Sequence, residues 1–329
     1  MFTEAIESIL QSHCTPAVVR AVEAGGSAAA LRGAVIEAGF LELLAEEANG
    51  GAAIEWRELF AVVSLCGAYA VPLPMAQTIA ARLLVARHAD LPDGWITFAP
   101  APVHEADGVL SCPMVPCGMV AEHVIARRAD ALWLLPLADA RRTPSGVHGS
   151  LTASLQWHAG AGRLLPDAAD PASLQALGAV LHAALLAGAM QRAFDMSLQY
   201  GNDRVQFGKS IGKFQAIQHQ LSVMAEHVAA ASIAAEAAFQ SGRRVPSLLA
   251  SAVAKSRTSE AAQLVASVAH AVHGAIGITT EYDLQLYTRR LHEWRMAHGS
   301  EAYWNQVLGQ SLIDSDAALV TDFIRSVTA

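Results

Sequence analysis

Apolar residues recur three or four positions apart from Phe2 to about Arg87, the spacing of helices that bury one face. Within that stretch, "LRGAVIEAGFLELLAEEANGGAAIEWRELFAVVSLCGAYA" reads as a helix, a break at Gly50 and Gly51, and a second helix. Between about Asp93 and His158 the period changes. "WITFAPAP", "HVIARRADALWLLPLA" and "SLTASLQWH" alternate or run apolar for short lengths, with Leu151, Ala153, Leu155 and Trp157 on one face, which predicts strands. After Pro171 the helical period returns, and Ala-rich helices are expected over about 172–203, 212–240, 247–272 and 301–327, with Pro246 at a junction. Small residues such as Gly188 and Ala189 permit close packing of helix axes, and the number of such helices suggests a bundle face continued by another subunit. The expected fold is mainly α with a small β domain: an N-terminal helical domain over 1–92, a middle β domain over 93–165, and a C-terminal helical bundle over 166–329.

Composition narrows the function classes. Hydrophobic residues make up 53% of the 329 and charged residues 16%, so the chain folds rather than staying disordered. A net charge of -8 leaves no clustered basic surface for nucleic acid. The start, "MFTEAIESIL", carries acids where a signal peptide carries Lys or Arg, and "LQALGAVLHAALLAGAM" is short for a bilayer span; a cytoplasmic protein without membrane insertion is expected. Cys14, Cys66, Cys112 and Cys117 show no paired spacing for a metal and are expected to be reduced core residues.

One segment carries more than a helix connection requires. "RVQFGKSIGKFQAIQHQ", residues 204–220, holds an arginine, two glycines and two phenylalanines between two apolar helices. Gly208 and Gly212 break the helical run, and Phe214, Ile217, Leu221 and Met224 resume it. Arg204 can cap carbonyls at a helix end or bind a phosphate. The stretch "RVQFGKSIGKFQAIQ" closely resembles the motif of the acyl-CoA dehydrogenase family, flavoenzymes built as helical domain, β domain and four-helix bundle. "GFLELLAEEANGG", "YAVPLPMAQTIAARLL" and "AKSRTSEAAQLVASVAHAVHGAIGITTEYDLQLYTRR" resemble other parts of the same family.

That resemblance implies FAD held across a subunit interface. Arg204, Gln206 and Phe207 would touch the FAD of a neighbouring subunit, the arginine at the pyrophosphate next to Gly208, with Ile211 and Phe214 near the adenine. Gly274 and Gly277 would let backbone approach the same cofactor. The family reaction removes an α proton from an acyl-CoA while hydride leaves the β carbon for the flavin, so it needs a general base and donors to the thioester carbonyl. In most members that base is a glutamate followed by Gly and then Thr or Ser. The matching triplet here is His298, Gly299 and Ser300, with Ser300 expected at the cofactor, and the alternative base position on the first bundle helix matches His182.

A neutral imidazole can accept a proton, so His298 is a candidate base; a helix cap or a polar core residue is the other reading. His182 reads equally as a residue packed between helices, and Glu293, Arg295 and Glu301 as helix-end charge pairs. The chain also gives "ITFAPAPVHEADG" where the family has an acidic Gly-Ser loop beside the flavin, and Ala271 where it has Gln. These departures resemble short acyl-CoA dehydrogenase-like chains that pair in α2β2 heterotetramers, one chain supplying the base and the other completing the FAD site. The expectations are therefore a flavoenzyme subunit with a homologous partner, an acyl-CoA substrate and an electron-transferring flavoprotein as acceptor; a homo-oligomer using His298 or acting differently on a CoA thioester; or a flavin-free structural protein.

Overall fold

The computed structural model describes residues 2–85, 87–240 and 245–328. Helices α1 (Phe2–His13), α2 (Pro16–Glu23), α3 (Ala29–Glu37), α4 (Trp56–Ala68) and α5 (Met75–Ala81) open the chain. The helix expected to run on to Gly50 ends instead at Glu37. Gly39 takes a left-handed conformation there (φ 73°), and two 3-10 turns occupy Phe40–Glu42 and Glu47–Asn49. Helix α4 then starts on a capping box made by Glu55 and Glu58.

Eight strands follow: β1 (Ile96–Phe98), β2 (His104–Ala106), β3 (Val109–Val115), β4 (His123–Arg128), β5 (Ala131–Pro136), β6 (Arg141–Pro144), β7 (Ala153–His158) and β8 (Arg163–Leu164). They form two four-stranded sheets, β1-β4-β5-β8 and β2-β3-β7-β6. All neighbours are antiparallel except β1 with β4. The alternation in β7 is kept, with Ala153, Leu155 and Trp157 buried against Leu110, Cys112, Val124 and Leu135 between the sheets.

Helix α6 (Ala172–Asp203) begins the C-terminal half and leads through a short hairpin, β9 (Val205–Gln206) and β10 (Lys209–Ser210), to α7 (Gln215–Ala237). Then come α8 (Leu248–His273), a 3-10 turn over Gly274–Ile278, α9 (Leu284–Trp294), α10 (Glu301–Ile313) and α11 (Val320–Thr328). The helix expected over 301–327 is thus two helices. The polar run Asp314, Ser315, Asp316 competes for backbone hydrogen bonds and stops the first, whose C-cap is Asp314.

Helix α6 is the axis of the molecule and is buried from Leu177 through Met190. Its approach to α4 is made through glycine on both sides: a β-carbon on Gly67 would overlap the Leu185 carbonyl, and one on Gly188 the Ser64 carbonyl. Two helical stretches, Ala172–Asp203 and Leu248–Ile278, are long and apolar enough to cross a bilayer, and 89% of the most apolar window of the first is covered by protein. Cys14, Cys66 and Cys112 are buried and unbridged, with burial pushing their thiols up to about 12. Replacing Gly188 with Val drives its side chain into backbone that cannot yield. A loss of roughly 3 kcal/mol or more is expected from the general cost of overpacking, measured by chemical denaturation.

Candidate functional site

The sequence-predicted residues fall at two ends of α6. At its C-terminal end, Arg204 is the C-cap residue, its N–H donating to the Tyr200 carbonyl (2.9 Å). Its side chain is exposed and makes no hydrogen bond or ion pair with the described residues, so it does not cap carbonyls. Gln206 pairs with Lys209, leaving Phe207 and Gly208 as a two-residue turn with φ of 52° and 79°. Both residues are left-handed, as the type I′ turn demands. Phenylalanine is an unusual choice there, at a cost on the order of 1 kcal/mol relative to Asn or Gly.

Phe207 is nonetheless 91% exposed, its ring meeting only the edge of Phe214 at 6.2 Å, while the Lys209 ammonium lies 4.3 Å from the Phe214 ring centroid. Ile211 and Phe214 are half-buried where the chain turns into α7. The hairpin is therefore a cationic, aromatic finger standing in solvent.

Helix α8 brings its own C-terminus to the same place, since Tyr200 stacks on His273 at 4.5 Å and Tyr282 meets both rings. Gly274 caps α8 with φ 63° and ψ −146°, a conformation open to glycine alone, and a β-carbon there would meet nothing. Gly277 departs from expectation. It is buried, and a β-carbon would sit 3.0 Å from the His273 β-carbon and 3.1 Å from Leu284, so its bareness serves the packing of α8 on α9 rather than access by a cofactor. The free guanidinium, the exposed ring and the open glycine cap suit an anionic, aromatic dinucleotide, so these residues fit FAD.

The N-terminal end of α6 has the opposite character. His298 and His182, two separate expectations from the sequence, meet there with ring centroids 5.1 Å apart. The His182 Nδ1 hydrogen donates to the Gly178 carbonyl (2.8 Å), and the His298 ring lies where a β-carbon on Gly178 would stand. His298 is 1% exposed, left-handed (φ 55°), and has no hydrogen-bond partner among the described residues for either ring nitrogen. Burial first, and then the charges of its neighbours, hold its pKa well below the usual imidazole value; burial brings His182 down to about 3. Both rings are neutral. A ring sealed in this way cannot reach a substrate proton unless the turn that carries it moves. Ser300 is half-buried and leads into α10, with no capping bond from its side chain.

Sequence reasoning passed over Lys255. It is fully buried on α8 beside this cluster, its Nζ donating to Ser259 Oγ (2.9 Å) and to the carbonyls of Arg295 (2.7 Å) and Gly299 (3.0 Å). The available signal was its place among Ala252, Ser259 and Ala262 on an otherwise small, apolar helix face. Glu293 and Glu301 also separate. Glu301 pairs with Arg295, whereas Glu293 accepts from Ser150 (2.6 Å) and Thr152 and ties α9 to the β domain. The cleft beside it, between Pro116, Cys117 and Trp294, holds about 30 Å³, room for one water. A cavity of about 520 Å³ between the end of α2 and residues 144–151 touches none of the sequence-predicted residues.

From Gly178 to Arg204 the helix advances about 39 Å, at 1.5 Å per residue. The exposed finger and the sealed histidines of one protomer therefore belong to different sites, because that span exceeds an extended flavin dinucleotide.

Two outcomes follow from the two ends. A buried neutral histidine leaves the folded state intact above pH 6.5, and stability is lost as the pH falls from 6.5 towards the folded value. For His182, which is down at about 3, that amounts to about 1.4 kcal/mol per pH unit, or about 2 kcal/mol between pH 6.5 and 5. Denaturation midpoints across that range should fall in wild type and fall less steeply in His182→Phe. At the other end, Phe207→Asn relieves the left-handed phenylalanine and should stabilise the chain by about 1 kcal/mol in urea unfolding.

Residues 175–313 match the family model described as "Acyl-CoA dehydrogenase, C-terminal domain". The acyl-CoA dehydrogenase IpdE2 of Mycolicibacterium smegmatis is 30% identical over 309 residues, covering 89% of this chain and 91% of that protein. Among solved structures, the ChsE4-ChsE5 complex from Mycobacterium tuberculosis superposes with a TM-score of 0.84 at 21% identity, covering 96% of this chain and 97% of the other. The Tcur3481-Tcur3483 steroid ACAD G363A variant gives 0.80 at 24%, covering 95% and 96%. The helical order, the Arg-Val-Gln-Phe-Gly corner and a relative matched over nine-tenths of its length lead to one conclusion: the chain belongs to the acyl-CoA dehydrogenase family, oxidoreductases that act on CH–CH bonds.

Proposed function

We propose that this chain is the completing subunit of a flavin-dependent dehydrogenase that introduces an α,β double bond into an acyl-CoA thioester, with the catalytic base on a homologous partner chain. The observation that carries the reading is the burial of position 298: a histidine, 1% exposed, with its ring closed in by the Gly178 turn of α6. The same burial weighs against the reading in which His298 is the base.

The chain's own contribution lies at the far end of α6. Arg204 would neutralise the pyrophosphate of an FAD seated mainly on the partner, Gln206 and Phe207 would line it, and the Gly274 cap would let backbone come close. FAD, when bound, supplies the hydride acceptor. The exposed strain at Phe207 and the unpaired guanidinium of Arg204 speak for a bound dinucleotide rather than a flavin-free scaffold. Two structural neighbours support a partner chain: the ChsE4-ChsE5 complex and the Tcur3481-Tcur3483 steroid ACAD each join two polypeptides. The electron acceptor in this reading is an electron-transferring flavoprotein.

The test is production of the chain alone and together with a glutamate-bearing acyl-CoA dehydrogenase chain from the same organism. Each preparation is read by flavin absorbance and by its bleaching with straight-chain and ring-bearing acyl-CoAs. Little flavin and no turnover alone, with both gained on co-production, is the expected result, and Arg204→Ala should cut flavin retention in the complex by tenfold or more. A yellow, active homo-oligomer would overturn the reading.

A further inference from the structure

The segment from Arg295 to Ser300, which joins α9 to α10 and carries His298, is held from three helices. Gln175 on α6 donates to the His298 carbonyl (2.7 Å), as does the Trp304 indole on α10 (3.0 Å). From α8, Lys255 donates to the carbonyls of Arg295 and Gly299, and Ser259 Oγ donates to the Arg295 carbonyl (3.2 Å). The turn needs this restraint, because His298 and Gly299 are both left-handed (φ 55° and 101°) and a non-glycine residue resists that conformation.

The contacts favour an ammonium at Lys255. An ammonium donates to all three oxygens at once and leaves Ser259 to donate to the Arg295 carbonyl, whereas a neutral amine, with two N–H groups, is satisfied only if Ser259 turns its hydrogen onto the nitrogen and gives up that carbonyl. Burial alone pushes the amine downward, yet the contacts are those of an ammonium. Its charge is offset by the C-terminal end of α9, whose C-cap carbonyl at Arg295 accepts from it, and by the Glu301 carboxylate. The other groups facing it are the Arg295 guanidinium, paired with Glu301, and the two neutral rings of His182 and His298.

We infer that Lys255 is the positioning residue of this turn: its buried ammonium caps α9 from a neighbouring helix and holds His298 and Ser300 on the one backbone path that starts α10 in place. It touches neither substrate nor cofactor and acts through the turn. The same cation works against protonation of the two histidines, so geometry and charge are coupled in one residue.

The test uses Lys255→Met in the full chain, with hydrogen exchange and pH-dependent unfolding read whether or not flavin is bound, so failure of the functional reading leaves both readouts intact. The amides of Met296 and Ala297, which donate to the Glu293 carbonyl at the end of α9, and of Gly299, which donates to the Met296 carbonyl, should exchange tenfold or more faster, with α7 unchanged. Between pH 6.5 and 5 the pH dependence of unfolding should run parallel in the two proteins, because an ammonium that is charged in both the folded and the unfolded chain contributes no slope and burial keeps the histidines neutral in either protein. A buried neutral amine would instead steepen wild type alone, by up to a further tenfold in the unfolding constant per pH unit. Unchanged exchange in the turn, or a markedly steeper fall in wild type than in the variant, overturns the inference. Should Lys255→Met fail to fold, Ser259→Ala removes one acceptor and should speed the same amides by threefold or more; no change there overturns it equally.

Discussion

The contact between α4 and α6 is the constraint on which the rest of the molecule depends. Gly67 and Gly188 place each helix's backbone against a carbonyl of the other, at a separation that excludes even a methyl group. A helix so closely approached loses its solvent face, and α6 becomes a core element along much of its length. Its small residues supply little apolar area each, so cohesion comes from the number and closeness of contacts rather than from large side chains. The cost is rigidity: a straight, tightly packed rod keeps whatever stands at its two ends far apart.

Those two ends obey different electrostatics. At the C-terminal end, Arg204, Lys209 and Lys213 are all exposed in and beside the hairpin, where charge is cheap to expose and available to a ligand. At the N-terminal end, His182, His298 and Lys255 share a dry interior, where any further charge is expensive. The ammonium of Lys255 survives because three oxygens and a helix terminus surround it. Burial first, and that resident cation after it, keep the imidazoles neutral. An enzyme site needs a titratable group within reach of substrate, and this end provides titratable groups without the reach.

The finger and the sealed cluster also differ in how they hold strain. Phe207 and His298 are both left-handed and neither is glycine. Around His298, donors from α6, α8 and α10 over-determine the turn. Around Phe207, among the described residues, the ring contact is with Phe214 alone. Strain held internally in the first case and left exposed in the second is consistent with a structural turn at one end and a binding element at the other.

Much of this was legible in the chain itself. The change of period from three-and-a-half to two and back marked the three regions. Pro171 marked the return to helix, Gly208 and Gly212 marked a break in it, and the Arg-Val-Gln-Phe-Gly stretch pointed to the family, because local periodicity and backbone permissiveness are properties of neighbouring residues; that the break is a β-hairpin came from the structure. Strand β3, with Pro113 inside it, and the early stop of α3 at Gly39 were harder to read, since pairing across a sheet and competition from 3-10 turns override local preference. Three facts belonged to the tertiary structure alone: that His182 and His298 share one place, that Gly277 packs inward while Gly274 stays open, and that Lys255 is buried among three oxygens. Each depends on which element packs against which. Sequence spacing fixes the face on which a side chain lies; only the packed bundle decides what stands opposite it, and therefore whether a charge or a ring meets water, a carbonyl or another ring.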